Sequence, residues 1–156
     1  MTKQVIIIGV TGHRKLDHDK DVVKEVIREK LHQYEADAVV TGMALGFDML
    51  VAEVCLEETI PFVAAIPCKD QTKLWPPHEK IRWTELMKKA WKYKIVSPGP
   101  FETWKLFERN RWIVDRSNIM LSYWNGVPKG GTAATVKETK KSKRPHENLY
   151  PLCESR

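Results

Sequence analysis

The 156-residue sequence has no long hydrophobic run; nothing in it approaches the roughly 18 consecutive apolar residues of a membrane span. Cysteine is scarce. Cys55, Cys68 and Cys153 are odd in number and far apart, and no CxxC pair or Cys/His cluster exists. That argues against a disulfide framework and a structural zinc, so no metal is expected and three reduced thiols are. The amino terminus offers one lysine and then VIIIGV, which is too short for a secretory leader and has no cleavage pattern. A cytoplasmic protein is the expectation. Internal repeats and a clear linker are missing too. So are a P-loop (GxxxxGK followed by Ser or Thr) and the GxGxxG dinucleotide fingerprint.

What is present reads as one globular domain, with 42% apolar and 29% charged residues. The net charge of +6 points to an anionic partner, small or polymeric. Part of that charge is local: Lys137 to Arg144 holds five basic residues against Glu138 alone. Such a run reads first as a solvated helix end.

Five short apolar segments alternate with helical periodicities. The strands are 4–9 (QVIIIG), 38–41, 62–66, 93–96 and 119–123. Asp17 or Asp19 is placed to cap a first helix carrying Val22, Val23, Val26, Ile27 and Leu31. Trp83, Leu86, Met87, Ala90 and Trp91 form a core-type stripe on a third helix. A fourth helix, about 102–115, leads to the fifth strand, and a glycine turn then opens a fifth helix near Thr132. This alternation predicts an α/β class protein: a single Rossmann-like domain, a parallel sheet in the order 3-2-1-4-5 with helices on both faces. The domain is expected over 1–144, with 145–156 as a C-terminal tail or short edge strand.

Ligands of open α/β sheets sit beyond the carboxyl ends of the strands, where strand order reverses. The loops there are polar and glycine-bearing. Gly9 and Gly12 permit close backbone approach, and Thr11, His13 and Arg14 place donors beside them. Gly42, Met43 and Gly46 turn into a helix whose first turn holds Asp48, a dipole partner or an acceptor for ribose or base. Gln71 and Trp75 lie in a proline-rich loop; Trp75 either stacks on a base or packs on the prolines. Arg109 and Asn110, and Arg116 seven residues on and so on the same face as Arg109, come from one helix, where surface roles are the alternative. Trp124 is a second stacking candidate. Gly130-Gly131-Thr132 at a helix start is the best phosphate site in the chain.

The joint pattern is GVTGHR (9–14), TGMALGFD (41–48) with Ala52-Glu53, Pro67 with Gln71 and Trp75, RN (109–110), DRSN (115–118) and GGT (130–132). Over about residues 5 to 140 it resembles the SLOG superfamily, and within it the YpsA-like group. The resemblance implies a Rossmann-like domain that binds nucleotides or nucleotide-derived ligands. Its relatives include the LOG phosphoribohydrolases, the DNA-processing protein A family and ligand-sensing domains of bacterial nucleotide-signalling defence. LOG enzymes carry PGGxGTxxE; here Thr135 stands where the glutamate would fall, and threonine has no acid/base capacity near neutral pH. The expected function is therefore sensing or sequestering a nucleotide-type ligand, with no catalytic residue and no other cofactor. A signalling nucleotide of the phage–bacterium contest is one version. Two alternatives stay open: N-glycosidic cleavage with Asp48 or Glu53 as the carboxylate, and a single-stranded nucleic-acid module. The expected partners are a small nucleotide-derived molecule, nucleic acid as the lesser case, no membrane, and further copies of the chain in a homo-oligomer.

Overall fold

The computed structural model describes residues 4–156. Met1 to Lys3, the start of the expected domain, lie outside the described residues. Six strands form one parallel sheet: β1 (Ile7–Gly12), β2 (Ala38–Thr41), β3 (Phe62–Ile66), β4 (Lys92–Ile95), β5 (Ile119–Tyr123) and β6 (His146–Asn148). Their spatial order is β4-β3-β2-β1-β5-β6. The helices between them are α1 (Lys20–Gln33), α2 (Phe47–Glu57), α3 (Pro77–Lys89), α4 (Thr103–Arg116) and α5 (Gly131–Lys141); α6 (Tyr150–Glu154) closes the chain. None is long and apolar enough to cross a membrane among the described residues.

The strands alternate between two cores, as a pleated backbone demands. Ile8, Val10, Val39, Phe62 and Ala64 face one core with α1, α2 and α6. Val40, Ala65 and Met120 face the other with Ile113 and Val114 of α4. Helix α2 is apolar almost all round because it lies between β1, β2, α1 and α3; Met49, Leu50, Val51, Ala52, Val54 and Cys55 are all buried. The methionine, leucine and valine side chains among them contribute about 1.5–3 kcal/mol of burial each. Asp19 caps α1, its carboxylate accepting from the N–H groups of Asp21 (2.9 Å) and Val22 (3.4 Å).

The Rossmann-like architecture is as the periodicity predicts, but the expected strand order, 3-2-1-4-5, is corrected. β4 sits beyond β3 at the edge, and β5 takes the place beside β1. The reason is composition. All four residues of β4 (Lys-Tyr-Lys-Ile) are exposed, and lysines blunt an edge. β5 (Ile-Met-Leu-Ser-Tyr) is buried from Met120 on and pairs with β1 from Ile8↔Ile119 to Gly12↔Tyr123. The first strand also runs later than expected, at Ile7–Gly12, because that pairing recruits Thr11 and Gly12. Trp91 is corrected as a core residue: it is 58% exposed, the α3 stripe ending at Ala90. At the carboxyl end, His146–Asn148 adds an edge strand to β5, and Leu149 and Cys153 are buried against the α1 side. All three cysteines are free and buried.

Candidate functional site

The strand order reverses between β1 and β5: β1 to β4 march one way, and α4 carries the chain back across the sheet. Loops that leave β1 and β5 therefore diverge and open a cleft between them. It has a volume of about 270 Å³ and is walled by Thr11–Arg14, Ala44, Asp48, Leu106, Arg109, Asn110 and Lys129–Thr132.

One wall is the start of α5. Gly130 precedes the helix at φ 94°, a conformation that suits glycine. The first N–H groups of the helix then have no intrahelical acceptor, and the helix dipole adds positive character there. A side chain at Gly130 or Gly131 would meet nothing within 4 Å, so this turn faces open space. Lys129 stands beside it.

The opposite wall is the loop after β1. The His13 N–H donates to the Tyr123 carbonyl (3.2 Å), and the His13 carbonyl accepts from the Phe47 N–H (3.2 Å). The His13 Nε2 accepts from the Asn125 N–H at 2.9 Å, which places the proton of the neutral ring on Nδ1. Arg14 makes no hydrogen bond or ion pair among the described residues and leans over the cleft with its five donors free.

The floor is a buried opposite-charge pair without direct contact. Arg109 is 5% exposed; its Nη1 donates to the Gly42 carbonyl (2.6 Å) and the Ala65 carbonyl (3.3 Å), and its Nε donates to Asn110 Oδ1 (2.8 Å). Burial pulls its pKa down, while the Asp48 charge pushes it back up. Asp48 is 6% exposed; its Oδ2 accepts from the Ala44 N–H at 3.4 Å, and its Oδ1 has no partner. Burial pushes the Asp48 carboxyl up to about 6, against the opposing pull of Arg109, the Ala44 N–H and Arg14. An orphaned buried oxygen calls for a donor from elsewhere.

A second cleft of about 510 Å³ adjoins the first, and Arg14 lines both. Leu45, Leu74, Trp75, Pro76, Pro100 and Phe101 make it apolar; Asp70, Gln71 and Lys73 supply its polar groups. Among the described residues no group of three or more His, Cys, Asp or Glu side chains is placed to hold a metal.

Thr11, Gly12, His13, Arg14, Asp48, Arg109, Asn110, Gly130, Gly131 and Thr132 thus meet in one cleft, as the sequence pattern anticipates. The other candidates stand elsewhere. Gly9 lies under α4, where a Cβ would come 2.1 Å from Ser117 Oγ. Gly42 makes room for the Arg109 guanidinium. Met43 is fully buried at φ 56°, and Gly46 caps α2 at φ 78°. Gln71 spends its amide internally: Nε2 donates to the Gly42 carbonyl (2.8 Å), and Oε1 accepts from Trp83 Nε1 (3.1 Å). Trp75 is buried against the core and edges the second cleft. Arg116 shares a helical face with Arg109 but sits two turns further, at the carboxyl end of α4, stacked on Trp112 at 4.0 Å. Trp124 faces a separate groove along α5 with Lys137 and Lys140, its Nε1 donating to the Val127 carbonyl (2.9 Å).

Sequence reasoning missed Lys129, Ala44 and Leu106. Lys129 had a signal, being next to the glycine pair; Leu106 is one helical turn before Arg109. Glu53, the alternative carboxylate, is bound by Arg82 Nε at 2.5 Å and does not line the cleft.

Residues 8–153 match the model of the YspA SLOG family. A relative from Bacillus subtilis (strain 168), an uncharacterized SPbeta prophage-derived protein YoqJ, is 27% identical over 150 residues, spanning 85% of this chain and 87% of its own. Among solved structures, DNA processing protein A from Helicobacter pylori, described for its single-stranded DNA binding mode, superposes at a TM-score of 0.68 with 20% identity over 92% of this chain. The Streptococcus pneumoniae counterpart gives 0.66 with 15% identity, also over 92%. This chain covers 64% of the former and 50% of the latter. The molybdenum cofactor carrier protein of Chlamydomonas reinhardtii gives 0.62 at 16% identity, over 93% of this chain and 76% of its own. At these identities the structural likenesses establish the fold.

Proposed function

This chain belongs to the YspA SLOG family, and from that premise we propose that its cleft binds a phosphate-bearing nucleotide or nucleotide-derived ligand. The observation that carries the reading is the pairing of two unlike features across one small cleft. The α5 start, Arg14 and Lys129 favour an anion; the orphaned Asp48 Oδ1 asks for a donor. A sugar phosphate supplies both, with phosphate oxygens toward α5 and a ribose hydroxyl toward Asp48. The apolar second cleft is the place for the base. Proteins of similar fold that bind single-stranded DNA or carry the molybdenum cofactor support a ligand-holding role at the same coarse level.

Binding without turnover is the preferred form. Thr135, at the position of the LOG glutamate, donates to the Gly131 carbonyl within its own helix (2.9 Å), which leaves Asp48 as the one carboxylate lining the cleft among the described residues. Incubation with nucleoside 5′-monophosphates should release no free base; steady release at enzyme far below substrate would instead support an N-glycosidase. Holding a signalling nucleotide in the contest between phage and bacterium is the biological version, supported by the prophage origin of the B. subtilis relative. The second reading, a single-stranded nucleic-acid module, draws on the α5 groove with Trp124, Lys129, Lys137 and Lys140. Its signature would be affinity falling steeply with salt.

Native mass spectrometry of the protein as purified from cells tests the proposal. A retained mass containing phosphate is expected, and loss of that mass in Gly131→Val. The same spectrum reports the homo-oligomer, which the half-exposed Trp104 and Phe107 of α4 favour.

A further inference from the structure

Two buried side-chain oxygens lack a hydrogen-bond partner among the described residues: Asp48 Oδ1 and Asp70 Oδ1. Asp48 lines the phosphate cleft, Asp70 lines the apolar cleft beside it, and Arg14 lines both. The proposed function uses the first of these carboxylates and leaves the second unexplained.

The polar inventory of the apolar cleft is short. Gln71 has both ends of its amide committed. The Lys73 N–H donates to the Asp70 carbonyl (3.1 Å), which holds the two residues together, while its ammonium makes no hydrogen bond or ion pair among the described residues and is a free donor. Arg14 stands at the junction with the phosphate cleft. A planar ring entering between Leu45, Pro76 and Phe101 therefore meets a carboxylate whose Oδ1 is unpartnered while the Cys68 thiol lies against the same group, and one free ammonium. The common bases differ in how they fit that pair. Guanine offers two adjacent N–H donors, N1 and N2, to a carboxylate, and its O6 accepts from an ammonium. Adenine offers a carboxylate one donor and sets an acceptor, N1, beside it. Cytosine does the same with N4 and N3. Uracil and thymine flank their single N–H with two carbonyl oxygens, which a carboxylate repels.

We propose that the apolar cleft is a base site selective for guanine, with Asp70 accepting from N1–H and N2–H and Lys73 donating to O6. The inference rests on the phosphate reading above and names the ligand class within it: guanine nucleotides. Binding guanine supplies the missing donor to Asp70, whereas binding another base leaves a buried carboxylate oxygen unpaired.

The test is calorimetric titration of the full chain with GMP, AMP, CMP, UMP and ribose 5-phosphate under one buffer. GMP should bind at least about tenfold more tightly than each other nucleotide, the low end of the range for a hydrogen bond to a charged group. Asp70→Asn should erase that preference while ribose 5-phosphate binding changes far less. Lys73→Ala, at an exposed position, should lower GMP affinity and serves as the deciding variant if Asp70→Asn is unfolded by circular dichroism. Equal affinities for the four nucleotides, or a preference for AMP, overturn the guanine site and leave the phosphate reading intact. Ribose 5-phosphate binding as tightly as GMP does the same. No binding by any of the five probes overturns both.

Discussion

Arg109 Nη1 donates to the Gly42 carbonyl at 2.6 Å, and the guanidinium lies where a Gly42 Cβ would stand, 2.5 Å away. Two residues 67 apart in sequence are fitted to one another. The glycine gives up a side chain so that a buried cation reaches the floor of the cleft. Asn110 and Gln71 fasten the same corner, through Arg109 Nε and the Gly42 carbonyl respectively.

Gly42→Ala should therefore displace Arg109. A buried charge deprived of its acceptors costs about 3–5 kcal/mol. Chemical denaturation should report a loss of that order, and ligand affinity should fall with it. Arg109→Lys should fail to rescue, because an ammonium cannot reproduce the planar fork that serves Gly42, Ala65 and Asn110 at once.

Asp48 makes stability depend on pH in a definite direction. Its folded pKa of about 6 lies above the ordinary aspartate value of 3.8. A raised carboxyl contributes stability that is full below pH 4 and lost as pH rises through 6. Two units correspond to about 3 kcal/mol. Asp48→Asn, neutral at every pH, should gain on the native protein by up to about that much between pH 4 and pH 7.5. Urea melts of both proteins across this window check it; parallel curves would contradict the burial of a charged Asp48.

Gly131→Val should fold normally, because a Cβ there meets nothing within 4 Å. Its stability change should stay under about 1 kcal/mol, the scale of helix propensities. The branched side chain would instead stand over the free N–H groups of α5. Thermal shift by ribose 5-phosphate should vanish in this variant. Gly9→Ala gives the contrasting result: with Cβ only 2.1 Å from Ser117 Oγ and 2.8 Å from Ile113, it should lower stability.

Asn148 links the chain end to the cleft. Its Oδ1 accepts from the N–H groups of Trp124 (3.0 Å) and Tyr150 (3.2 Å), and its Nδ2 donates to the Trp124 carbonyl (2.8 Å). Asn148→Ala should speed amide exchange across 124–130, the loop that delivers Lys129 and Gly130. Unchanged exchange there would contradict a tether.

Much of this architecture was legible because local chemistry and global fold agree. The limits of β2, β3 and β5 follow from short apolar runs bounded by Asp37, Thr59, Pro61, Pro67 and Trp124-Asn125-Gly126. The cleft's glycine turns were legible as turns, and ten of the candidate residues line one cleft. What failed had physical causes. The place of β4 is written in its lysines, but periodicity alone does not distinguish an edge from a centre. Gly9, Gly42 and Gly46 serve packing and backbone geometry, since a glycine that makes room for Arg109 reads like one that makes room for a phosphate. Arg116 shares a face with Arg109 but not a height along α4. Asp70 and Lys73 sit in an irregular loop, where no period points a side chain anywhere.

The α5 turn is proposed to hold the phosphate of the ligand. Calorimetric comparison of guanosine with guanosine 5′-monophosphate, in the native chain and in Gly131→Val, tests it most directly. The phosphate should raise affinity by at least about tenfold in the native protein, the low end for a charge-assisted hydrogen bond, and by nothing in the variant. Equal affinity for nucleoside and nucleotide in the native chain, or a phosphate gain that survives Gly131→Val, would contradict it.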